Sequence, residues 1–232
     1  MPGFFLEIVM PRIVLISDTH GYHGSVKIPE GDVLIHAGDF SMRGALMDLR
    51  DFCSWFASQP HAHKIFIAGN HDWCFERQNA ESRALVRDVT YLQDSGVTCC
   101  GLKVYGSPWQ PWFMDWAFNV ERGEKIAAIW ARIPVDTDIL VTHGPPARVL
   151  DAVAAGPEVG CEDLLQRVEN IQPKLHVFGH IHEGYGERMV KNTHCVNASI
   201  CDEHYRPRNV PIVIEVPPGI KRPRATYRRD SE

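Results

Sequence analysis

Short apolar runs punctuate the chain at residues 13–16 (IVLI), 33–35 (VLI), 65–67 (IFI), 139–141 (ILV) and 175–178 (LHVF). Their length, β-branched content and lack of apolar–polar alternation predict strands buried on both faces. Between them helical spacing takes over. Leu46, Leu49, Phe52, Cys53 and Phe56 share one face of a helix predicted over 45–58 and stopped by Pro60. Further helices are expected over 77–88, 121–132 and 162–170, the last two closed near Pro134 and Pro173. After His182 the pattern turns to strands separated by turns, at 193–196 and 210–216. Alternating β and α units followed by strands predict an α/β fold with helices on the outer faces of its sheets.

The 232 residues contain no internal repeat, no low-complexity block and no linker. Residues 1–232 therefore read as a single domain with its core at about 11–216. The tail, 217–232, is rich in Pro and Arg, and its five basic residues between Lys221 and Arg229 read as a solvated, flexible segment. Residues 4–10 (FFLEIVM) lack a basic start and a small-residue cleavage site, so they read as an extra strand or extension and not a secretion signal. No stretch reaches transmembrane length, and no membrane partner is expected. A formal net charge of −5 argues against a dedicated nucleic-acid surface. Seven cysteines form no C-x-x-C pair, and the adjacent Cys99 and Cys100 do not suit a disulfide framework. Reduced thiols in a cytoplasmic protein are expected.

Chemistry concentrates where the strands end. Asp18-Thr19-His20, Gly38-Asp39, Gly69-Asn70-His71-Asp72, Thr142-His143-Gly144 and Gly179-His180-Ile181-His182 each follow an apolar run. In open α/β sheets, ligands gather at the carboxyl ends of strands. Carboxylate, amide oxygen and imidazole without thiolate suit manganese, iron or zinc in an open catalytic site. Asp18 and His20, two residues apart at a strand end, are expected on one side of the strand where they can grip one ion, as are His180 and His182.

This ordered series, D-x-H, G-D, G-N-H-D, H-G and G-H-x-H, resembles the calcineurin-like metallophosphoesterase superfamily. The segments 142–146 (THGPP), 159–165 (VGCEDLL), 173–186 (PKLHVFGHIHEGYG) and 196–199 (VNAS) are similar to its metallophosphoesterase-domain-containing subfamily, over residues 11 to about 216. The resemblance implies a four-layer α-β-β-α sandwich of two mixed sheets, with two divalent transition-metal ions at one edge. It assigns one ion to Asp18, His20, Asp39 and His182, and the other to Asp39, Asn70, His143 and His180, with Asp39 bridging. Manganese is the expected metal, with iron or zinc as alternatives. Some animal members carry glycine at the position of His180; here the ligand is present.

The resemblance further implies a phosphodiesterase that attacks with a metal-bridging hydroxide and acts on small phosphodiesters, cyclic nucleotides among them. Two divalent ions against two carboxylates and a hydroxide leave one positive charge, matching a phosphodiester monoanion. His71 is expected to contact the phosphate or protonate the leaving oxygen, with Asp72 orienting its ring. His36, His61, His63, His176, His194 and His204 read as structural, and His23 as a weaker candidate for reaching substrate. The aromatic segment 108–119 closes onto the core or offers Trp109 or Trp112 to a base. The rival reading is a phosphomonoesterase or protein phosphatase: Arg43 is retained, but residue 68, just before the G-N-H-D stretch, is alanine and not the arginine those phosphatases carry. A non-catalytic metal-binding scaffold is disfavoured because no ligand is missing.

Overall fold

Each of the five apolar runs forms a strand in the computed structural model, which describes residues 10–154, 156 and 158–218. The segment 4–9, expected as an extra strand or extension, and the tail beyond 218, expected to be flexible, lie outside the described residues. The first half of the chain runs β1 (Arg12–Ile16), β2 (Val33–His36), α1 (Leu46–Ala57), β3 (His63–Phe66), α2 (Cys74–Arg77), α3 (Asn79–Leu85), β4 (Thr90–Tyr91), β5 (Ser95–Cys99) and β6 (Leu102–Ser107). It continues through β7 (Gln110–Pro111), β8 (Asn119–Val120), α4 (Glu124–Ala131), β9 (Ile139–Thr142), α5 (Glu162–Ile171) and β10 (Leu175–Phe178). The last strands are β11 (Gly186–Val190), β12 (Thr193–Asn197) and β13 (Ile212–Glu215).

One sheet has the order β13-β1-β2-β3-β4, with β13 antiparallel to β1 and the other neighbours parallel. The other has the order β11-β12-β10-β9-β6-β5; its outer pairs are antiparallel and its inner strands parallel. Strand alternation divides the apolar residues between layers. Ile13 and Leu15 point between the sheets, where they join Val104, Ile139, Val141, Leu175 and Val177. Val14 and Ile16 point the other way, onto Leu49, Phe52 and Phe56 of α1. On the second sheet Tyr105 and Leu140 pack beneath Ile126 and Trp130 of α4 and Leu164 and Val168 of α5. The result is the expected α-β-β-α sandwich of two mixed sheets. Full burial on both faces explains why those runs are continuous rather than alternating; each such side chain contributes about 1.5–3 kcal/mol.

Several details differ from the expectation, the short or exposed strands β4, β7, β8 and β11 among them. The helix expected over 77–88 is shorter, α3 at Asn79–Leu85, and a separate short helix, α2, precedes it because Gln78 adopts φ −133° and breaks the turn between them. The β5–β6 hairpin has no counterpart in the sequence reading. β5 lies at the edge of its sheet and is largely exposed, so it has no apolar run, and the apolar residues of buried β6 are interrupted by Lys103 and Gly106. All seven cysteines are free, and all but Cys100 are buried, where burial raises the thiols of Cys53, Cys74, Cys195 and Cys201 to about 12.

The carboxyl ends of β1, β2, β3, β9 and β10 meet at one edge of the sandwich. Ser17 pairs with Ser199 across the gap between the sheets, and His143 Nδ1 donates to the Ala37 carbonyl at 3.0 Å. Residues far apart in the chain thereby reach one place.

Candidate metal centre

Backbone conformation aims the ligands. Asp18 (φ 50°), His20 (φ 43°), Asp39 (φ 57°) and His180 (φ 67°) are left-handed, a conformation that costs a non-glycine residue about 1–2 kcal/mol. Four such residues clustered at one edge are stored strain of the kind found at functional sites. The two-residue step along a strand, expected to set Asp18 beside His20 and His180 beside His182, is not what aligns them. β1 ends at Ile16 and β10 at Phe178, so Asp18, His20, His180 and His182 lie beyond the strands, and turns rather than pleat alternation bring them together. The turns are tied down: Asp18 N–H donates to Gly38 O at 2.9 Å and His20 N–H to Asp39 O at 3.0 Å.

All seven expected ligands converge. Donor atoms of Asp18, His20 and His182 lie within 4.8 Å of one another, as do those of Asp39, His143 and His180. A third trio, His20, Asp39 and His71, brings the expected catalytic histidine equally near. Asn70 Oδ1 is 2.9 Å from His143 Nε2. Asp39 stands between the groups by one oxygen only. Its Oδ1 accepts the His71 N–H at 2.8 Å, while its Oδ2 is 3.3 Å from His143 Nε2, 3.9 Å from His20 Nε2 and 4.0 Å from His71 Nε2. Oδ2 is thus the Asp39 atom that would reach the ligands of both groups, while Oδ1 is tied to the His71 backbone.

The imidazoles are locked by backbone carbonyls. Nδ1 of His20 faces Ser41 O (3.3 Å), that of His143 Ala37 O (3.0 Å), that of His182 Asp202 O (2.8 Å) and that of His71 Met42 O (2.9 Å). A carbonyl only accepts, so each Nδ1 carries a proton; the Nε2 atoms of His20, His143 and His182 then turn their lone pairs to the centre, while His71, outside the ligand set, can carry a proton on Nε2 as well. His20 and His182 then face each other through Nε2 atoms 3.2 Å apart, and His143 Nε2 faces two oxygens. Acceptors converging on acceptors need positive charge between them, and this donor set fits two divalent cations.

Electrostatics agree. Burial disfavours the imidazolium, yet Asp39 and Asp18 outweigh it and raise His143 to about 9; Asp18 does the same for His182. His20 goes the other way, to about 4, because burial dominates. Burial opposes ionisation of Asp18 and Asp39 too, but the surrounding histidines hold both carboxyls well below their usual range. Without metal, protons on His143 and His182 stand in for the ions.

A second ring of groups holds the first. Ser199 Oγ donates to Asp18 Oδ2 at 2.9 Å, and Asn197 Nδ2 donates to Ile181 O at 2.7 Å. Both are fully buried, so the N-A-S sequence is part of the scaffold and closed to glycosylation. Gly179 is required by close approach: a Cβ there would overlap Asp18 Oδ2 and Ser17 Oγ. Asp72 departs from its expected role. It does not touch the His71 ring, whose partner is the Met42 carbonyl. Its Oδ2 accepts from the N–H groups of Asp39 (2.8 Å), Phe40 (3.3 Å) and Gly69 (2.8 Å), and its Oδ1 from Ser41 N–H (3.1 Å) and Oγ (2.8 Å). Asp72 clasps the Asp39 loop to the Asn70 loop, and local spacing alone cannot reveal so distant a set of donors.

Two aromatic residues beside the centre are not singled out by the sequence. Trp116 stacks on His71 with centroids 4.2 Å apart and planes at 29°. Tyr205 packs edge-on against His20 (4.8 Å) and His182 (5.1 Å). The segment 108–119 divides: Trp109 is half-buried with Nε1 on Asp94 Oδ2 at 2.8 Å, Phe118 is buried, and Trp112 is exposed. Among the other histidines, His36 and His176 are buried with Nε2 on threonine hydroxyls at 2.9 Å, and His23 is buried with Nε2 3.1 Å from Asp51.

The model of the calcineurin-like phosphoesterase family matches residues 11–184, three quarters of the chain and every ligand named above. The chain belongs to that family. As a calcineurin-like phosphoesterase it is a metal-dependent hydrolase of phosphate esters. It is 45% identical to human metallophosphoesterase domain-containing protein 1 over 231 residues, covering 89% of this chain and 71% of that protein; the mouse protein gives the same values. The structure of TT1561 of Thermus thermophilus superposes with a TM-score of 0.56 at 16% identity, covering 89% of this chain and 99% of that one, a likeness of fold. Among the described residues no helix is long and apolar enough to cross a membrane.

Proposed function

We propose that this phosphoesterase hydrolyses small phosphodiesters, with cyclic nucleotides as the natural class, using manganese or a related pair of divalent ions. The observation that carries this reading is the composition of the rim. A phosphomonoester dianion is usually clamped by a guanidinium. Here the aromatic rings of Trp116 and Tyr205 lie against His71 and His20, and Arg206 and Arg208 are engaged by Asp202 (2.8 and 3.5 Å), which leaves exposed Arg43, next to Met42, as the nearby guanidinium without such a partner among the described residues. A monoanion with organic groups on both sides suits that surface better than a dianion.

Divalent ions held by Asp18, His20, Asp39, Asn70, His143, His180 and His182 would supply Lewis acidity and acidify water. The protein's part is orientation and proton handling. Nδ1-to-carbonyl bonds hold the rings of His20, His71, His143 and His182 in place before substrate arrives. His71, anchored by Met42 O and covered by Trp116, presents Nε2 toward Asp39 Oδ2 at 4.0 Å; with protons on both ring nitrogens it would give the Nε2 proton to the leaving oxygen and keep the one on Nδ1. The test is a comparison of two substrates: with manganese, bis-p-nitrophenyl phosphate should show the higher kcat/KM against p-nitrophenyl phosphate. The reverse order would establish a phosphomonoesterase instead.

A further inference from the structure

Resting on the phosphodiesterase reading, we propose that Tyr205 and Trp116 contact substrate and select esters that carry a flat, uncharged ring. The two residues come from separate segments and meet around His71. Trp116 stacks on one side at 4.2 Å, and Tyr205 lies tilted at 6.0 Å while packing edge-on against His20 and His182. A substrate phosphate at the centre therefore has aromatic surface beside it.

The position of Tyr205 is built, not incidental. Its φ of +57° is a left-handed value that a bulky residue rarely adopts, so its surroundings must impose it. They do so through Asp202. The Tyr205 N–H donates to Asp202 O at 2.9 Å, and the Asp202 carboxylate accepts from His204 N–H (2.9 Å), Arg206 N–H (3.0 Å) and Arg206 Nε (2.8 Å). The same Asp202 carbonyl receives Nδ1–H of His182. One residue thus fixes both a metal ligand and the aromatic ring above it. Tyr205 is nonetheless 39% exposed, leaving ring surface free on the solvent side.

Trp116 is likewise fixed, because the neighbouring Ala117 N–H donates to Asn70 O at 3.2 Å. The loop before it exposes Trp112, Phe113 and Met114 by 58%, 53% and 66%. Large apolar groups concentrated in one exposed loop next to a catalytic centre mark a surface that takes an apolar partner. The arginines nearest to Tyr205 in the chain are spent on Asp202, so the wall offers dispersion and edge-to-face contacts and little charge. An aryl group and a nucleobase share the chemistry it would recognise.

The experiment uses two non-hydrolysable anions that differ only in the ring. Calorimetric titration of the manganese-loaded protein should show phenylphosphonate binding about 10-fold tighter than methylphosphonate. Tyr205→Ala and Trp116→Ala should each bring the two affinities within about 2-fold while barely changing that for methylphosphonate. Tyr205→Phe should keep the preference. Metal content by elemental analysis checks each variant, and Tyr205→Leu and Trp116→Leu replace an alanine variant that fails to fold. Equal affinities in the unaltered protein, or a preference that survives loss of either ring with metal retained, overturns the proposal. A retained phenyl preference without diesterase activity would sink the phosphodiesterase reading and leave the ring site standing.

Discussion

Asp72→Asn should unfold more easily, not merely turn over more slowly. The carboxylate accepts five bonds, three on Oδ2 and two on Oδ1. An asparagine keeps one acceptor oxygen, best placed on the three-donor side, and sets its NH2 against the Ser41 N–H. That buried donor then lacks a partner, at about 1–3 kcal/mol. The three surviving bonds lose their charge assistance, about 1 kcal/mol each. Burial and the Asp39 charge push the Asp72 carboxyl well above its usual range, and relief from that unfavourable ionisation offsets part of this. The net loss is about 2–4 kcal/mol. Urea unfolding with chelator present, which removes any contribution from bound ions, should show a midpoint about 1 M lower at an m-value of about 3 kcal/mol per M. An unchanged midpoint together with a rate defect like that of His71→Ala would refute the clasp and restore Asp72 as the residue orienting the ring.

His71→Ala should keep both ions yet lose about 10²–10⁴-fold in kcat, more for an alkoxide leaving group than for p-nitrophenolate; elemental analysis showing a lost ion would make His71 a ligand. His180→Gly should leave the metal-free protein as stable or slightly more so, since glycine suits φ 67°, while manganese stoichiometry falls from two toward one. In the metal-free protein His143 and His182 sit near 9, above their unfolded value of 6.5, so their contribution is fully present below about pH 6.5 and disappears as pH rises toward 9. Chelated samples should therefore melt at lower temperature on the alkaline side, and metal loading at pH 7 should release protons, measurable as buffer-dependent heats.

The strands and the ligand set are legible for a shared reason. β1, β2, β3, β9 and β10 are buried on both faces, so their apolar runs stand out, and the chemistry sits just past each run where a turn must follow. The rest depends on contacts between distant residues. Nothing near Asp72 signals that its donors are Asp39, Phe40 and Ser41. Nothing near His71 signals a bond to Met42, because any residue supplies a carbonyl. The left-handed conformations of Asp18, His20, Asp39 and His180 are also silent in the sequence, since none of these residues is glycine. Ser199 reads as part of a motif, and only the pairing of Ser17 with Ser199 makes it the support of Asp18. Tyr205 escapes notice because its loop has no apolar periodicity.

The ligands divide between the sheets: Asp18, His20, Asp39 and Asn70 follow strands of the first, and His143, His180 and His182 follow strands of the second. Ions bound there would act as rivets between two plates otherwise joined by apolar contact and by a few hydrogen bonds at that edge, such as His143 Nδ1 to Ala37 O and Ser199 Oγ to Asp18 Oδ2. A riveted pair separates only after the rivet leaves, so metal supply would set how long the sandwich stays shut. Amide protons of Val14, Leu34, Leu140 and Val177, deep in β1, β2, β9 and β10, would then exchange on the timescale of ion release when the protein is loaded, and far sooner when it is stripped.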